Sequence, residues 1–287
     1  MKTTEYTREV HGFTGSLYIP DHPAGAAVIV ITGGAKGLLP PSEIAQRFCE
    51  LGYTALSLPL FGAAGLPEGP DRLPLDLLEP ALKMLREKKW VRSVHLYGMS
   101  IGAVYALQAA AMMTGIDGVI AVSGYHIIPE GSPDRKTGSG RSLLSYKDID
   151  LPFADIPYTF EMKDRLEGIG TGDALPEQAG IHPECASCRL LILSSDADET
   201  WPSAEAARYF EKRLKAAEYE PSYKVIIYKN ASHILGILPE EDASARMKRF
   251  GRIMYTSMLS HPNDCLKAIK NSQEEILSFL KNRPSRS

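Results

Sequence analysis

Short, apolar, β-branched runs alternating with longer amphipathic patterns most narrow the folds open to this chain. Ala26 to Thr32, Thr54 to Leu58, Ser93 to Tyr97, Gly118 to Ser123, Leu190 to Ser194 and Tyr223 to Tyr228 read as strands. Several are apolar at almost every position, as strands covered on both faces are. Helical patterns separate them at Ser42 to Leu51, Leu75 to Lys88, Ala103 to Met113 and Ser203 to Ala217, and Ser272 to Lys281 closes the chain. Leu78, Leu82 and Leu85 mark the stripe of the second. Parallel strands need crossovers, so the alternation predicts a mainly parallel, doubly wound sheet with helices on both faces. Tyr6 to Val10 and Gly15 to Ile19 read as an antiparallel pair joined through His11-Gly12.

The rhythm fails between Gly124 and about Pro183, where Gly, Pro, Ser and Asp are frequent. A structureless loop of that length inside a compact domain points to a lid, so residues 124–183 are expected to be a lid insertion. A second insertion is expected at 239–262, with a helix from Ala243 to Leu259. No repeat and no second core divides the chain, which predicts one α/β domain over residues 1–287. With 44% hydrophobic and 23% charged residues, the chain can bury a large core. Lys and Arg number 32 against 35 Asp and Glu, with no block of one sign, which argues against a nucleic-acid partner. No run reaches the ~18 apolar residues of a membrane helix. The first residues lack the apolar segment of a signal peptide. Four cysteines are too few for a disulfide scaffold. The expectation is a cytoplasmic protein without nucleic-acid or membrane partners.

The sharpest motif is Gly98-Met99-Ser100-Ile101-Gly102, set between a predicted strand and a predicted helix. Strand, tight turn and helix form a nucleophile elbow. The turn strains the serine backbone and is tolerable only with tiny residues two positions away on each side. The plainer alternative is a serine capping a core helix. A serine hydroxyl needs a base to take its proton, and an elbow serine is followed along the chain first by the acid and then by the histidine. Of the seven histidines, His233 sits on the loop after the last strand and is the candidate base. His11 and His22 precede the first main strand, and His95 lies within a strand. His126 and His182 fall in or beside the lid, and His261 follows the second insertion. The acid must follow the strand ending at Ser194, where Asp196, Asp198 and Glu199 compete. Asp198 is preferred for the turn Asp-x-x-x-Pro that leads into a helix. Asp196 is second, as a residue able to bond backbone amides in a turn, and Glu199 is third. The oxyanion hole is expected from the amide of Ile101 and from the loop Gly33-Gly34-Ala35-Lys36-Gly37, with Gly34 first and Ala35 second. That loop is neither a P-loop nor a dinucleotide fingerprint.

The segments Thr32-Gly33-Gly34 to Leu38-Leu39, Gly52-Tyr53-Thr54-Ala55-Leu56, Gly98 to Ala103 and Trp201-Pro202-Ser203 resemble the α/β-hydrolase domain of acyl-CoA thioesterases and bile acid-CoA:amino acid N-acyltransferases. The resemblance runs in order from about Ala26 to His233, and Asp198-Glu199-Thr200-Trp201-Pro202-Ser203 is its most diagnostic piece. It implies the α/β-hydrolase fold, a triad of Ser100, Asp198 and His233, and chemistry on an acyl thioester with the acyl group held on the nucleophile. The acyltransferase branch uses cysteine as nucleophile, and serine at position 100 favours water as the acceptor. Mammalian members carry an N-terminal β-sandwich domain, and with some 25 residues before the first main strand none is expected here. The expected activity is a serine hydrolase of an acyl-CoA thioester or a carboxylic ester. The alternatives are a dienelactone-hydrolase-like carboxylesterase, an acyl-CoA:amino acid N-acyltransferase, or a ligand-binding module without catalysis.

Other features are read as secondary. Cys185-Ala-Ser-Cys188 with His182 upstream resembles half a zinc site, yet no second pair of ligands exists, so neither metal nor cofactor is expected. Arg135, Lys136, Arg141 and Lys147 make the lid positive, as for coenzyme A phosphates or as an ordinary solvated loop. Tyr125, Ile127, Ile128, Leu143, Leu144, Phe153, Tyr158 and Phe160 either line an acyl pocket or pack the lid down, packing being the preferred reading residue by residue. Trp201 is expected to pack beside Asp198.

Overall fold

The computed structural model describes residues 1–36, 38–169 and 176–282. Gly37 of the glycine loop and residues 170–175 of the 124–183 insertion lie outside the described residues. Among those described, the main sheet has eight strands: β1 (Lys2–Tyr6), β2 (Gly15–Ile19), β3 (Ala26–Ile31), β4 (Thr54–Ser57), β5 (Ser93–Met99), β6 (Gly118–Val122), β7 (Arg189–Ser195) and β8 (Tyr223–Tyr228). Their spatial order is β1-β2-β4-β3-β5-β6-β7-β8. From β4 to β8 every neighbouring pair is parallel, and β1 and β2 form an antiparallel margin beside β4.

The larger helices are α1 (Pro41–Glu50), α2 (Leu78–Arg86), α3 (Ile101–Met112), α4 (Ser203–Ala216), α5 (Ala243–Ile253) and α6 (Pro262–Lys281). They sit on both faces, as alternation within β3 makes visible. Ala27, Ile29 and Ile31 join one apolar cluster with residues of α2, α3 and α4. Ala26, Val28 and Val30 join the other, with Ile44 and Phe48 of α1, Phe250 of α5 and Ile276 of α6. A strand with apolar residues on both sides is stable only between two such layers. The α/β-hydrolase architecture, with a mostly parallel sheet between helices, is therefore the observed fold.

Three elements differ from their sequence pattern. Residues Arg8–His11 form a helical turn, so the first strand runs earlier, over Lys2–Tyr6. The last helix begins at Pro262, because Cys265, Ala268 and Ile269 carry the buried stripe of Ser272, Ile276 and Leu280 back by ten residues. The helix from Ala243 stops at Ile253, and a separate turn follows at Ser257–Ser260. Residues 124–169 hold two-to-four-residue strands at Pro129–Glu130, Leu144–Tyr146, Ile149–Asp150 and Ala154–Pro157, then a helix over Met162–Ile169. Leu144–Tyr146 pairs with Leu73–Pro74, far away in sequence, so the segment is tied to the body by non-local bonds. Among the described residues no helix is long and apolar enough to cross a membrane.

Candidate active site

Ser100, Ile101, Gly34, Asp198 and His233 lie beyond the carboxyl ends of β3, β5, β7 and β8, the edge of an open α/β sheet where ligands bind. Ser100 occupies the turn between β5 and α3 with φ 59° and ψ −125°. That is left-handed backbone a serine adopts only when its surroundings impose it. The flanking glycines are required by contact: a Cβ at Gly98 would lie 2.2 Å from the Gly102 carbonyl oxygen, and one at Gly102 would lie 1.8 Å from that of Ile31. β5, α3 and β3 can therefore approach closely enough to make the turn.

Asp198 and His233 are joined directly. The His233 Nδ1 lies 2.9 Å from Asp198 Oδ1 and 2.8 Å from Oδ2, and both residues are almost fully buried. Nδ1–H donates to the carboxylate, which leaves Nε2 as the basic nitrogen. Asp198 Oδ1 also accepts the amides of Thr200 at 2.8 Å and Trp201 at 3.3 Å, and these keep the carboxylate oriented. Trp201 is fully buried and donates Nε1–H to the Ser123 carbonyl at 2.8 Å. Its ring meets that of His233 edge-on at 6.1 Å, so it packs behind the pair.

The competing acids do other things. Asp196 is exposed and accepts the Asn230 amide at 2.7 Å, pinning the turn after β8. Glu199 accepts from Ser232 Oγ at 2.9 Å, the His233 amide at 3.1 Å and the Ser257 amide at 2.8 Å. It thus fastens the histidine loop to the segment after α5. Ser123 Oγ donates to the His233 carbonyl at 2.7 Å, and Ser195 Oγ to the Ser232 carbonyl at 2.9 Å. Sequence reasoning named Glu199 only as a third candidate acid and missed the two serines. Their one signal was a polar residue where a buried apolar strand ends.

Ser100 and His233 line one cleft of about 320 Å³, together with Thr32 to Gly34, Lys36, Met99, Ile101, Arg135, Tyr158, Phe160 and Tyr255. Ser100 Oγ makes no hydrogen bond to His233 among the described residues, and such contacts are often loose before substrate binds. The Ile101 amide opens α3, and Gly34 sits on the loop after β3 beside it. Neither amide has an acceptor among the described residues. Ala35, the second candidate, instead donates its amide to the Phe61 carbonyl at 2.9 Å. Tyr255 stacks on the His233 ring, centroids 5.9 Å apart and planes 5° from parallel, and burial pushes its phenol up to about 12.

The other candidates are dispersed. His95 is buried in β5 with Nε2 3.0 Å from Ser93 Oγ, and His126 is buried between Tyr125 and Tyr209. Desolvation holds both imidazoles down at about 4. His182 contacts Glu184 at 3.2 Å and Arg213 at 2.6 Å. Cys185 is exposed, while Cys188 is buried ahead of β7 and its thiol is pushed up to about 12 by burial. Of the positive insertion residues, Arg141 pairs with Asp150 at 2.7 Å and Lys147 lies over the Tyr146 ring, while Arg135 alone reaches the cleft. Tyr158 and Phe160 line the cleft; Tyr125, Ile127, Ile128, Leu143 and Leu144 are core.

The family described as BAAT / Acyl-CoA thioester hydrolase C terminal matches residues 73–239, more than half of the chain and a span holding Ser100, Asp198 and His233. The chain is 28% identical over 216 residues to acyl-coenzyme A thioesterase 5 of Mus musculus, a match covering 72% of this chain and 48% of that protein. It thus spans about half the length of the curated relative it matches. Among solved structures it is similar to a candidate dienelactone hydrolase from Klebsiella pneumoniae subsp. pneumoniae MGH 78578, with TM-score 0.57, 14% identity and coverage of 98% of this chain and 99% of that chain. It is also similar to the α/β hydrolase GrgF from Penicillium sp. sh18, with TM-score 0.50, 19% identity and coverage of 88% and 98%. At such identities the structural likeness concerns the fold, whereas the family match concerns the sequence. The chain belongs to the BAAT / acyl-CoA thioester hydrolase C-terminal family.

Proposed function

We propose that this chain is a serine hydrolase that cleaves an acyl thioester, such as an acyl-CoA, or a carboxylic ester through an acyl-enzyme. One observation carries the reading: a buried carboxylate holds the His233 Nδ1 at 2.8–2.9 Å beside the cleft lined by the strained Ser100. In this reading His233 Nε2 takes the Ser100 proton as Oγ attacks the acyl carbon. Asp198 stabilises the imidazolium, and the Ile101 and Gly34 amides hold the oxyanion. The imidazolium then gives its proton to the departing thiolate or alkoxide. Water, deprotonated by His233, releases the acid. The insertion at 124–183 serves as the lid over the cleft, and that at 239–262 stacks Tyr255 against the base.

The test is turnover of a panel of acyl-CoAs and simple esters by the native chain and by Ser100→Ala. The variant is expected to lose a factor on the order of 10³–10⁶ in kcat while melting as the native chain does. Near-normal activity in that variant removes Ser100 as nucleophile. A fluorophosphonate should label Ser100, and failure to label under any condition favours a binding module. Glycine or taurine added to an acyl-CoA reaction should yield free thiol without amide. Amide formation would make the chain an N-acyltransferase.

A further inference from the structure

The cleft is asymmetric in charge. Among the described residues its lining holds two cations, Lys36 and Arg135, and no carboxylate. Lys36 is exposed on the glycine loop, whereas Arg135 is half-buried on the opposite, inserted segment. The Arg135 guanidinium carbon lies 4.4 Å from the ring centroids of both Tyr158 and Phe160. Its Nε is buried without a hydrogen-bond partner among the described residues, and none of the ion pairs found there includes it. The other guanidinium nitrogens also have no hydrogen-bond partner among the described residues, so at the cleft wall they are open to an acceptor that a ligand can supply.

The backbone beneath this side chain is built to hold it. Arg135 has φ 59°, a left-handed conformation with a steric cost for a residue bearing a Cβ. Asp134 Oδ1 accepts the amides of Lys136 at 2.8 Å and Thr137 at 2.9 Å, which closes the turn around it. Glu130 Oε1 accepts the Gly140 amide at 2.6 Å, anchoring the far end of the loop. Carboxylates in this loop thus serve backbone amides, while Asp150 serves Arg72 and Arg141. None of these carboxylates neutralises Arg135.

We propose that Arg135 recognises an anionic group of the substrate, either a carboxylate on the acyl group or a phosphate of the leaving group, and so sets the specificity of the cleft. The inference rests on reading the cleft as an acyl-transfer site. A guanidinium steadied by aromatic rings keeps its N–H edge for two parallel hydrogen bonds to such oxygens, which a point charge does not provide. Lys36, on the glycine loop, adds a second positive charge to the same cleft.

Binding tests this without requiring turnover. Ser100→Ala, with and without Arg135→Gln, is titrated calorimetrically with three thioesters: butyryl-N-acetylcysteamine, which is uncharged; glutaryl-N-acetylcysteamine, which bears an acyl carboxylate; and butyryl-CoA, which bears phosphates. One anionic thioester should bind more tightly than the uncharged one. Arg135→Gln should weaken that ligand by about tenfold to a hundredfold and leave the uncharged one within about twofold. Loss confined to the glutaryl compound assigns the acyl carboxylate, and loss confined to butyryl-CoA assigns the phosphates. Arg135→Lys should restore only part of the affinity. Equal weakening of all three ligands, or no preference for either anion, overturns the proposal. Hydrolysis of p-nitrophenyl butyrate by the native chain reports separately on the hydrolase reading, so the two can fail independently.

Discussion

Three acidic side chains stand within four positions, and only their hydrogen bonds distinguish them. Asp198 holds the imidazole, Asp196 a backbone amide across the sheet edge, and Glu199 the backbone that carries the imidazole. Asp198→Asn is therefore expected to lower kcat by about 10⁴, because a neutral amide no longer favours the right tautomer. Asp196→Asn should stay within about threefold, since the amide oxygen can still accept from Asn230. Comparable losses in steady-state assays of the two variants would reverse the assignment of the acid. Glu199→Gln should lower kcat about tenfold to a hundredfold with KM nearly unchanged, because a slight misplacement of the base is costly. An unaltered kcat would mean that the serine hydroxyls hold the loop without it. The strained turn at Ser100 and the placing of Asp198 and His233 after successive strands were legible because strain and strand order leave local marks. The division of labour among these acids was not, since it depends on Asn230, Ser232 and Ser257, more than 30 residues away.

At the level of elements, the turn at Ser100 is a packing joint. β3, β5 and α3 meet where Gly98 and Gly102 leave no room for a methyl group. Gly102→Ala is expected to cost about 3 kcal/mol or more, the upper end for a single substitution, because backbone and not a flexible side chain would have to move. Urea denaturation measures it, and a loss below about 1 kcal/mol would contradict the packing described. Parallel strands and their crossover helices were readable because their apolar periodicity is local. The break after Ile253 was not: Ser257 donates its amide to Glu199 rather than continuing the helix, so a tertiary acceptor overrides a helical sequence. The insertion gave no period because its two-to-four-residue strands pair with distant segments, as Leu73 does with Leu144. Among its described residues the one in the cleft with an unpaired charge, Arg135, looks in sequence like Arg141, which is spent on Asp150.

Across the whole molecule, two of the buried imidazoles, those of His95 and His126, couple the fold to pH. His95 lies in the sheet and His126 where the insertion packs against α4, each held near 4 by desolvation against an ordinary value of 6.5. Between those two values the unfolded chain binds protons that the folded chain refuses. Stability is therefore constant above pH 6.5, falls as pH drops toward 4, and levels off below it as far as these groups are concerned. The depressed carboxyls Asp134 and Asp150, held at about 2, add their own loss only lower in the acid range. Each histidine is expected to remove about 3 kcal/mol over its window. His126→Phe should keep the ring contacts with Tyr125 and Tyr209 while deleting one titration. Urea unfolding at several values between pH 7.5 and 4.5 should then show an acid loss smaller by up to that amount. An identical loss in variant and native chain would mean that His126 is already protonated in the fold, or that the segment opens before the imidazole must charge.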